Sequence, residues 1–264
     1  MNIRERLSVG KQFVIGMVHC LPLPGTRDWD GDMEKVCAQA VRDAKTLEAA
    51  GVDALMVENM GDSPFGIALD TAQATALAVA TDRVRRAVSV PVGVDAAFCD
   101  YQVAISTALV TGGAFVRIPV FVDTVVFHGG IISPCARECI LYRKNLGAEQ
   151  VMILADIQVK HTHMLLPHAD IQSSARAAAD AGADGIIVTG SAIGIEPPID
   201  MIKKVKQVVN LPVIAGSGVN AGNIADQLSI ADGAIIGSSL KEGGEISSPI
   251  SERLAKEVMA GLRR

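Results

Sequence analysis

The chain has 264 residues, 49% hydrophobic and 20% charged, which is enough apolar sequence for a large core. A formal net charge of −5 and a pI near 5.5 exclude the broad basic face of a nucleic-acid binder, while a site for one small anion needs only a few donors. No apolar run reaches the roughly 18 residues of a membrane span, and the charged opening Met1-Asn-Ile-Arg-Glu-Arg does not read as a secretory signal.

Strand-like and helix-like segments alternate along the chain. Phe13 to Val18 is the first apolar run. A long polar loop, His19 to Gly31, follows, and then a helix from about Asp32 to Ala50 with Gly51 as its stop. Ala54 to Val57 reads as the second strand, and Asp70 caps a helix running to about Val88. Pro91 to Val94, Ala114 to Ile118 and Val151 to Ala155 are the third to fifth strands. The loop from Pro119 to about Ser133 is long, with Ser133-Pro134 reading as a helix start. Both long loops are candidate lids. His168, after Pro167, reads as the start of a further helix. Gly185 to Val188, Pro212 to Ala215 and Ala234 to Ile236 complete eight strands.

Aromatic residues make up only 3% of the chain, so Ala, Val, Ile and Leu must build the core, as buried parallel strands do. Recurring helix stops such as Ala-Ala-Gly-Val-Asp-Ala at 49–54 and Ala-Asp-Ala-Gly-Ala-Asp-Gly at 179–185 fit one helix–strand unit used repeatedly. Eight units without a linker predict a single α/β domain over 1–264, a closed (β/α)8 TIM barrel. A doubly wound open sheet is the alternative. The five cysteines, Cys20, Cys37, Cys99, Cys135 and Cys139, form no CxxC pair and are expected to be reduced thiols of a cytoplasmic protein.

The last two strands end in small residues, Gly216-Ser217-Gly218 and Gly237-Ser238-Ser239. Free backbone N–H groups at such turns favour an anion. Their place after the seventh and eighth strands is that of a barrel phosphate site. Polar side chains gather at the other strand ends: His19, Glu58, Asn59, Asp95, Arg117, Asp156, Lys160, His161, Thr189 and Gly190.

Asp156 and Lys160 are the expected central catalytic pair, with His19 and Glu58 as further acid–base groups. His19 qualifies because an unperturbed imidazole titrates near neutrality. Asn59, Asp95, Arg117, His161, Thr189 and Gly190 are expected to contact substrate. No metal is required, although Glu58, Asp95 and Asp156 are a possible ligand set for Mg2+. The expected partner is a phosphorylated small molecule, and the sequence also permits a homo-oligomer. The chemistry that suits a base, an enolate partner and a phosphate anchor is proton transfer beside a carbonyl, as in isomerases, epimerases and lyases. Metal-dependent hydrolysis of a phosphate ester or nucleotide is an alternative.

Met17-Val-His19, Val57-Glu58-Asn59, Phe115-Val-Arg117, Ala155-Asp156, Val159-Lys160-His161, Asp184-Gly-Ile-Ile-Val-Thr-Gly190-Ser191, Gly216-Ser-Gly-Val219 and Gly237-Ser-Ser-Leu-Lys241 resemble the BtpA/SgcQ family over nearly the whole chain. The resemblance implies a cytoplasmic ribulose-phosphate-binding type barrel in carbohydrate metabolism. Through the family's photosynthetic namesake, it also offers a non-catalytic assembly or stability factor for photosystem I as an alternative. Where the family pattern leads one to expect Asn, Arg-Asn, a polar residue and Asp-Gln-Gly, this chain has Asp95, Phe98-Cys99, Pro119 and His128-Gly-Gly130. Altered substrate contacts are the implied consequence.

Overall fold

A computed structural model describes residues 5, 7, 12–166, 168–190 and 197–262. Ser191, Pro167 and most of the charged N-terminal hexapeptide lie outside the described residues. Eight parallel strands close into a barrel: β1 (Phe13–His19), β2 (Ala54–Glu58), β3 (Val92–Asp95), β4 (Phe115–Ile118), β7 (Met152–Ile157), β9 (Gly185–Val188), β10 (Val213–Ala215) and β11 (Gly233–Ile236). Around the barrel the order is β1-β11-β10-β9-β7-β4-β3-β2. The eight expected strands are these eight, shifted by at most two residues at their ends.

The chain crosses between strands through α1 (Met33–Ala50), α2 (Thr71–Ala87), α3 (Tyr101–Thr111), α4 (Ala136–Asn145), α5 (Ile171–Asp180), α6 (Ile199–Lys206) and α7 (Ile224–Leu228). A last helix, α8 (Glu252–Ala260), follows the barrel. Asp32 caps α1 by accepting from Lys35 N–H, and Gly51 ends it at φ 93°, where a side chain would be strained. Asp70 and Gln73 form a reciprocal capping box at the start of α2. Two expected helix starts move. α4 begins at Ala136, after Cys135, rather than at Ser133-Pro134. α5 begins at Ile171, after Asp170, rather than at His168.

The two-residue period of a strand divides the core in two. Val14, Val18, Val57, Val94 and Val116 face the helices. Ile15, Met17, Met56, Phe115, Leu154, Ile187, Ile214 and Ile235 pack inside the barrel. Phe115 needs space there, and Gly93, directly opposite it on β3, supplies that space. A methyl group on Gly93 would lie 2.2 Å from the Phe115 ring.

The long connections hold structure that the sequence pattern does not announce. In the loop after β4, β5 (Val125–Phe127) and β6 (Gly130–Ile132) form an antiparallel hairpin. β8 (His163–Met164), from the loop after β7, adds to it, giving a small sheet in the order β6-β5-β8. The loop His19 to Gly31 supports its neighbour rather than covering the barrel. Leu23 N–H donates to Asp62 Oδ1 at 2.8 Å, and Arg27 N–H to Ser63 O at 3.2 Å. Among the described residues, no helix is long and apolar enough to cross a membrane.

Candidate active site

The inward positions of the eight strands continue one step above the apolar layer. Two residues beyond Met17, Met56, Gly93, Phe115, Leu154, Ile187, Ile214 and Ile235 stand His19, Glu58, Asp95, Arg117, Asp156, Thr189, Gly216 and Gly237. The barrel therefore ends in a ring of five ionisable residues, one threonine and two glycines, one from each strand. Above it lies a cavity of about 440 Å³, bordered by His19, Glu58, Asp95, Arg117, Lys160 and His161 and by Gly216, Ser217, Gly218, Gly237 and Ser238. The glycine turns and the ionisable groups thus share one hollow.

Neighbouring strands set the side chains beside one another. His19 pairs with Glu58 across β1 and β2, and Glu58 with Asp95 across β2 and β3. His19 Nε2 lies 3.4 Å from Glu58 Oε2. Arg117 Nη1 is 3.5 Å from Asp95 Oδ2, while its Nε and Nη2 each donate at 2.8 Å to the two oxygens of Asp156. His19 Nδ1 and Asp95 Oδ1 are buried without a hydrogen-bond partner among the described residues.

Burial dominates the proton chemistry. Desolvation, followed by the charges of Lys241, Lys160 and Arg117, lowers the His19 pKa from 6.5 to about 3. His19 is therefore neutral at pH 7, and the near-neutral titration expected from the sequence does not occur. Desolvation also raises the pKa of Glu58, against the pull of Arg117 and Lys160. It raises that of Asp95 further, helped by the Glu58 charge. Burial works against the Arg117 charge, yet Asp156, Asp95 and Glu58 together hold the guanidinium protonated beyond its ordinary range. Lys160 is lowered, first by burial and then by Arg117.

Lys160 borders the cavity on a constrained loop. Gln158 and His161 occupy the left-handed region at φ 47° and 64°, a strain that persists only where neighbours impose it. Asp123 accepts from Gln158 N–H at 2.8 Å, and Thr189 Oγ1 accepts from Lys160 N–H at 3.0 Å. The Lys160 ammonium makes no ion pair among the described residues.

Four expected site residues, Asp156, Asn59, Thr189 and Gly190, act from behind the cavity wall. Asp156 does not border the cavity, because Arg117 covers it and takes both its oxygens. Asn59 is fully buried. Its amide donates to Asp62 Oδ2 and Ala97 O, and its oxygen accepts from Ala97 N–H at 2.7 Å. Thr189 braces Lys160. Gly190 N–H donates to Ser217 Oγ at 3.2 Å, so it fixes the seventh-strand turn without lining the cavity. Glu58, Asp95 and Asp156 do not make a cation site. Arg117 already occupies the space between Asp95 and Asp156, and no group of three ligating side chains comes together among the described residues.

At the paired turns, Gly218 has φ 65°, and its carbonyl accepts from the amides of Asn220 and Asn223. Ser239 Oγ donates to Val219 O at 2.6 Å, tying one turn to the other. Its side chain borders a smaller adjoining hollow that shares Gly218 and Ser238 with the main cavity. The backbone N–H groups of Gly218, Ser238 and Ser239 have no protein acceptor among the described residues. Free amides at such a turn are what an anion requires.

Two features escape the sequence reading. Lys241, of which 1% is exposed, donates from Nζ to Ile246 O and adds positive charge behind His19. The outer wall is aromatic, with Phe65, Phe98 and Phe127 bordering the cavity. The signal for these was the placement of four of the chain's six phenylalanines, Phe65, Phe98, Phe121 and Phe127, in the connections after barrel strands. Of the two expected lids, the loop after β4 reaches the cavity through Pro119, Phe127 and His128, and the loop after β1 does not. The loops after β2 and β3 take its place, through Met60, Pro64, Phe65, Ala97 and Phe98.

Comparison with known proteins agrees with the barrel. The chain is similar over its whole length to the (S)-3-O-geranylgeranylglyceryl phosphate synthase of Thermoplasma acidophilum, solved in complex with its substrate sn-glycerol-1-phosphate. The TM-score is 0.63 at 16% identity, covering 100% of this chain and 99% of that one. An uncharacterized protein of Pyrococcus furiosus is 39% identical over 251 residues, 95% of this chain and 94% of its own. The photosystem I biogenesis protein BtpA of Synechocystis is 35% identical over 240 residues, 90% of this chain and 83% of its own. The sequence model of the BtpA family matches residues 10–264, and the chain belongs to that family.

Proposed function

We propose that this chain is a barrel enzyme that binds a phosphorylated small molecule and moves a proton beside a carbonyl group, as an isomerase, epimerase or lyase does. The observation that carries the reading is the shared cavity: amide turns after β10 and β11 open onto the same hollow as Glu58, Asp95, Arg117 and Lys160. Gly218, Ser238 and Ser239 offer their N–H groups to the phosphate, with Gly216, Ser217 and Gly237 shaping the turns. Glu58, whose carboxyl holds its proton more tightly than usual, serves as the base, since a raised pKa improves proton abstraction near neutral pH. Lys160 stabilises the enolate oxygen as a cation. His19, being neutral, acts as a hydrogen-bond donor rather than as an imidazolium. Asp156 positions Arg117.

The synthase from Thermoplasma acidophilum, a barrel of the same fold in complex with the phosphorylated substrate sn-glycerol-1-phosphate, supports this reading. The Synechocystis relative, a photosystem I biogenesis protein, favours a second reading, a non-catalytic biogenesis factor. Metal-dependent hydrolysis is not favoured, because Arg117 fills the space its cation would need.

Solvent-deuterium exchange separates the readings. The purified chain is incubated in deuterated buffer with a panel of phosphorylated aldehydes and ketones, with and without an aryl ring, and followed by NMR. Exchange at the carbon next to the carbonyl is expected. Glu58→Gln and Lys160→Gln should each slow it at least about 100-fold while inorganic phosphate still binds. Absence of both exchange and phosphate binding in the unmodified chain would defeat the proposal.

A further inference from the structure

The order of strands around the barrel places unlike surfaces opposite each other. In the closed order β1-β11-β10-β9-β7-β4-β3-β2, β10 stands across from β3 and β11 across from β4. The turns with unpaired amides follow β10 and β11. The loops after β3 and β4 carry Phe98 and Phe127 to the same cavity. A ligand anchored at the amides therefore extends toward these two rings.

The rings form a built wall. Their centroids are 4.3 Å apart with planes 14° from parallel, although they come from different loops. Phe98 follows Ala97, whose N–H and carbonyl are both held by Asn59. Phe127 ends β5, which is paired on both sides, by β6 and β8. Both rings are half-buried and border the cavity, so part of each ring's surface stays available to a ligand. Phe65 and Met60 extend the same wall.

A sugar phosphate carries hydroxyl groups along its carbon chain, and each needs a partner when it leaves water. Phe65, Phe98, Phe127 and Met60 offer no nitrogen or oxygen in their side chains. A flat ring, by contrast, gains from offset stacking on such a surface. Resting on the phosphate reading above, we infer that the substrate is a phosphate monoester carrying a planar aryl or heteroaryl ring, with the phosphate at the β10 and β11 turns and the ring against Phe98 and Phe127. The cavity volume of about 440 Å³ falls within the range of roughly 300–1,000 Å³ that accommodates ligands of this size.

Matched probes test this inference. Affinities of the full chain for inorganic phosphate, ribose 5-phosphate, phenyl phosphate and the four ribonucleoside 5′-monophosphates are measured by titration calorimetry. At least one ring-bearing ester should bind about tenfold or more tighter than ribose 5-phosphate, the scale that stacking supplies. Phe127→Leu keeps the wall apolar but removes the flat face, and should erase most of that preference without changing the affinity for inorganic phosphate. Phe98→Leu should do the same, so the test survives if one variant misfolds. Ribose 5-phosphate binding as tightly as every ring-bearing ester would overturn the inference and leave the phosphate site standing. Failure of every probe, inorganic phosphate included, would overturn both.

Discussion

Arg117 grips Asp156 with two parallel hydrogen bonds of 2.8 Å, in a place where both side chains are almost fully buried. Such a pair holds its geometry tightly, and loss of one partner leaves a charge stranded in the interior. Asp156 is therefore read as the residue that aims Arg117 at Asp95 and the cavity. Asp156→Asn should cost about 3–5 kcal/mol of stability, measured by urea unfolding. A variant with unchanged stability and no turnover would instead make Asp156 a reacting group.

His19 makes stability depend on pH. In the unfolded chain its imidazole takes up a proton below about pH 6.5, whereas in the folded chain it does so only near pH 3. The unfolded state then binds more protons, and stability is lost as pH falls through that window, by up to about 1.4 kcal/mol per pH unit. Glu58 and Asp95 act in the opposite sense. Their raised values mean that the folded chain holds protons the unfolded chain has released, so their contribution is lost as pH rises through the raised pKa values. His19→Gln should remove the His19 share of the loss, so that stability falls less, or rises more, from pH 6.5 to pH 5 than in the unmodified chain, in denaturant titrations at a series of pH values. Identical slopes in the two proteins would show that His19 charges normally when folded.

Asn59 tests whether the aromatic wall is held from behind. Its amide satisfies both backbone groups of Ala97 from inside the protein, and Phe98 follows directly. Asn59→Ala strands those groups at about 1–3 kcal/mol each. The urea midpoint should fall, and protease should cut the segment around Phe98 faster. A variant with the stability and cleavage rate of the unmodified chain would mean that the loop is supported elsewhere.

The barrel was legible because its two signals are local: apolar runs of strand length, and glycines that stop the helices between them. The ring of ionisable side chains was partly legible. Ending a strand places a residue near the mouth, but the two-residue period decides which side it faces. Glu58 and Asn59 are adjacent, so they face different ways. Glu58 meets the cavity, and Asn59 meets Ala97 behind it. Asp156 does continue the inward row, but the reach of Arg117 places it below the surface, and that depends on a partner 39 residues away. The small sheet of β5, β6 and β8 was not legible, because it joins short segments from two separate loops and its pairing exists only once the barrel has brought them together.

The inside of the barrel offers a test of packing that is independent of chemistry. Gly93 and Phe115 face each other across β3 and β4, and the phenyl ring occupies the volume a side chain at Gly93 would need. Gly93→Ala puts its methyl group 2.2 Å from that ring, and the ring is fully buried, so it cannot swing out into water. Overpacking of this kind costs about 1–3 kcal/mol. Phe115→Leu alone removes core volume and is also destabilising. The two changes together should recover part of both losses, because the smaller side chain vacates the space the methyl group enters. A double-mutant cycle in urea should therefore give a favourable coupling of roughly 0.5–3 kcal/mol. Strict additivity would show that the strand pair relaxes independently, and that Gly93 does not make room for Phe115.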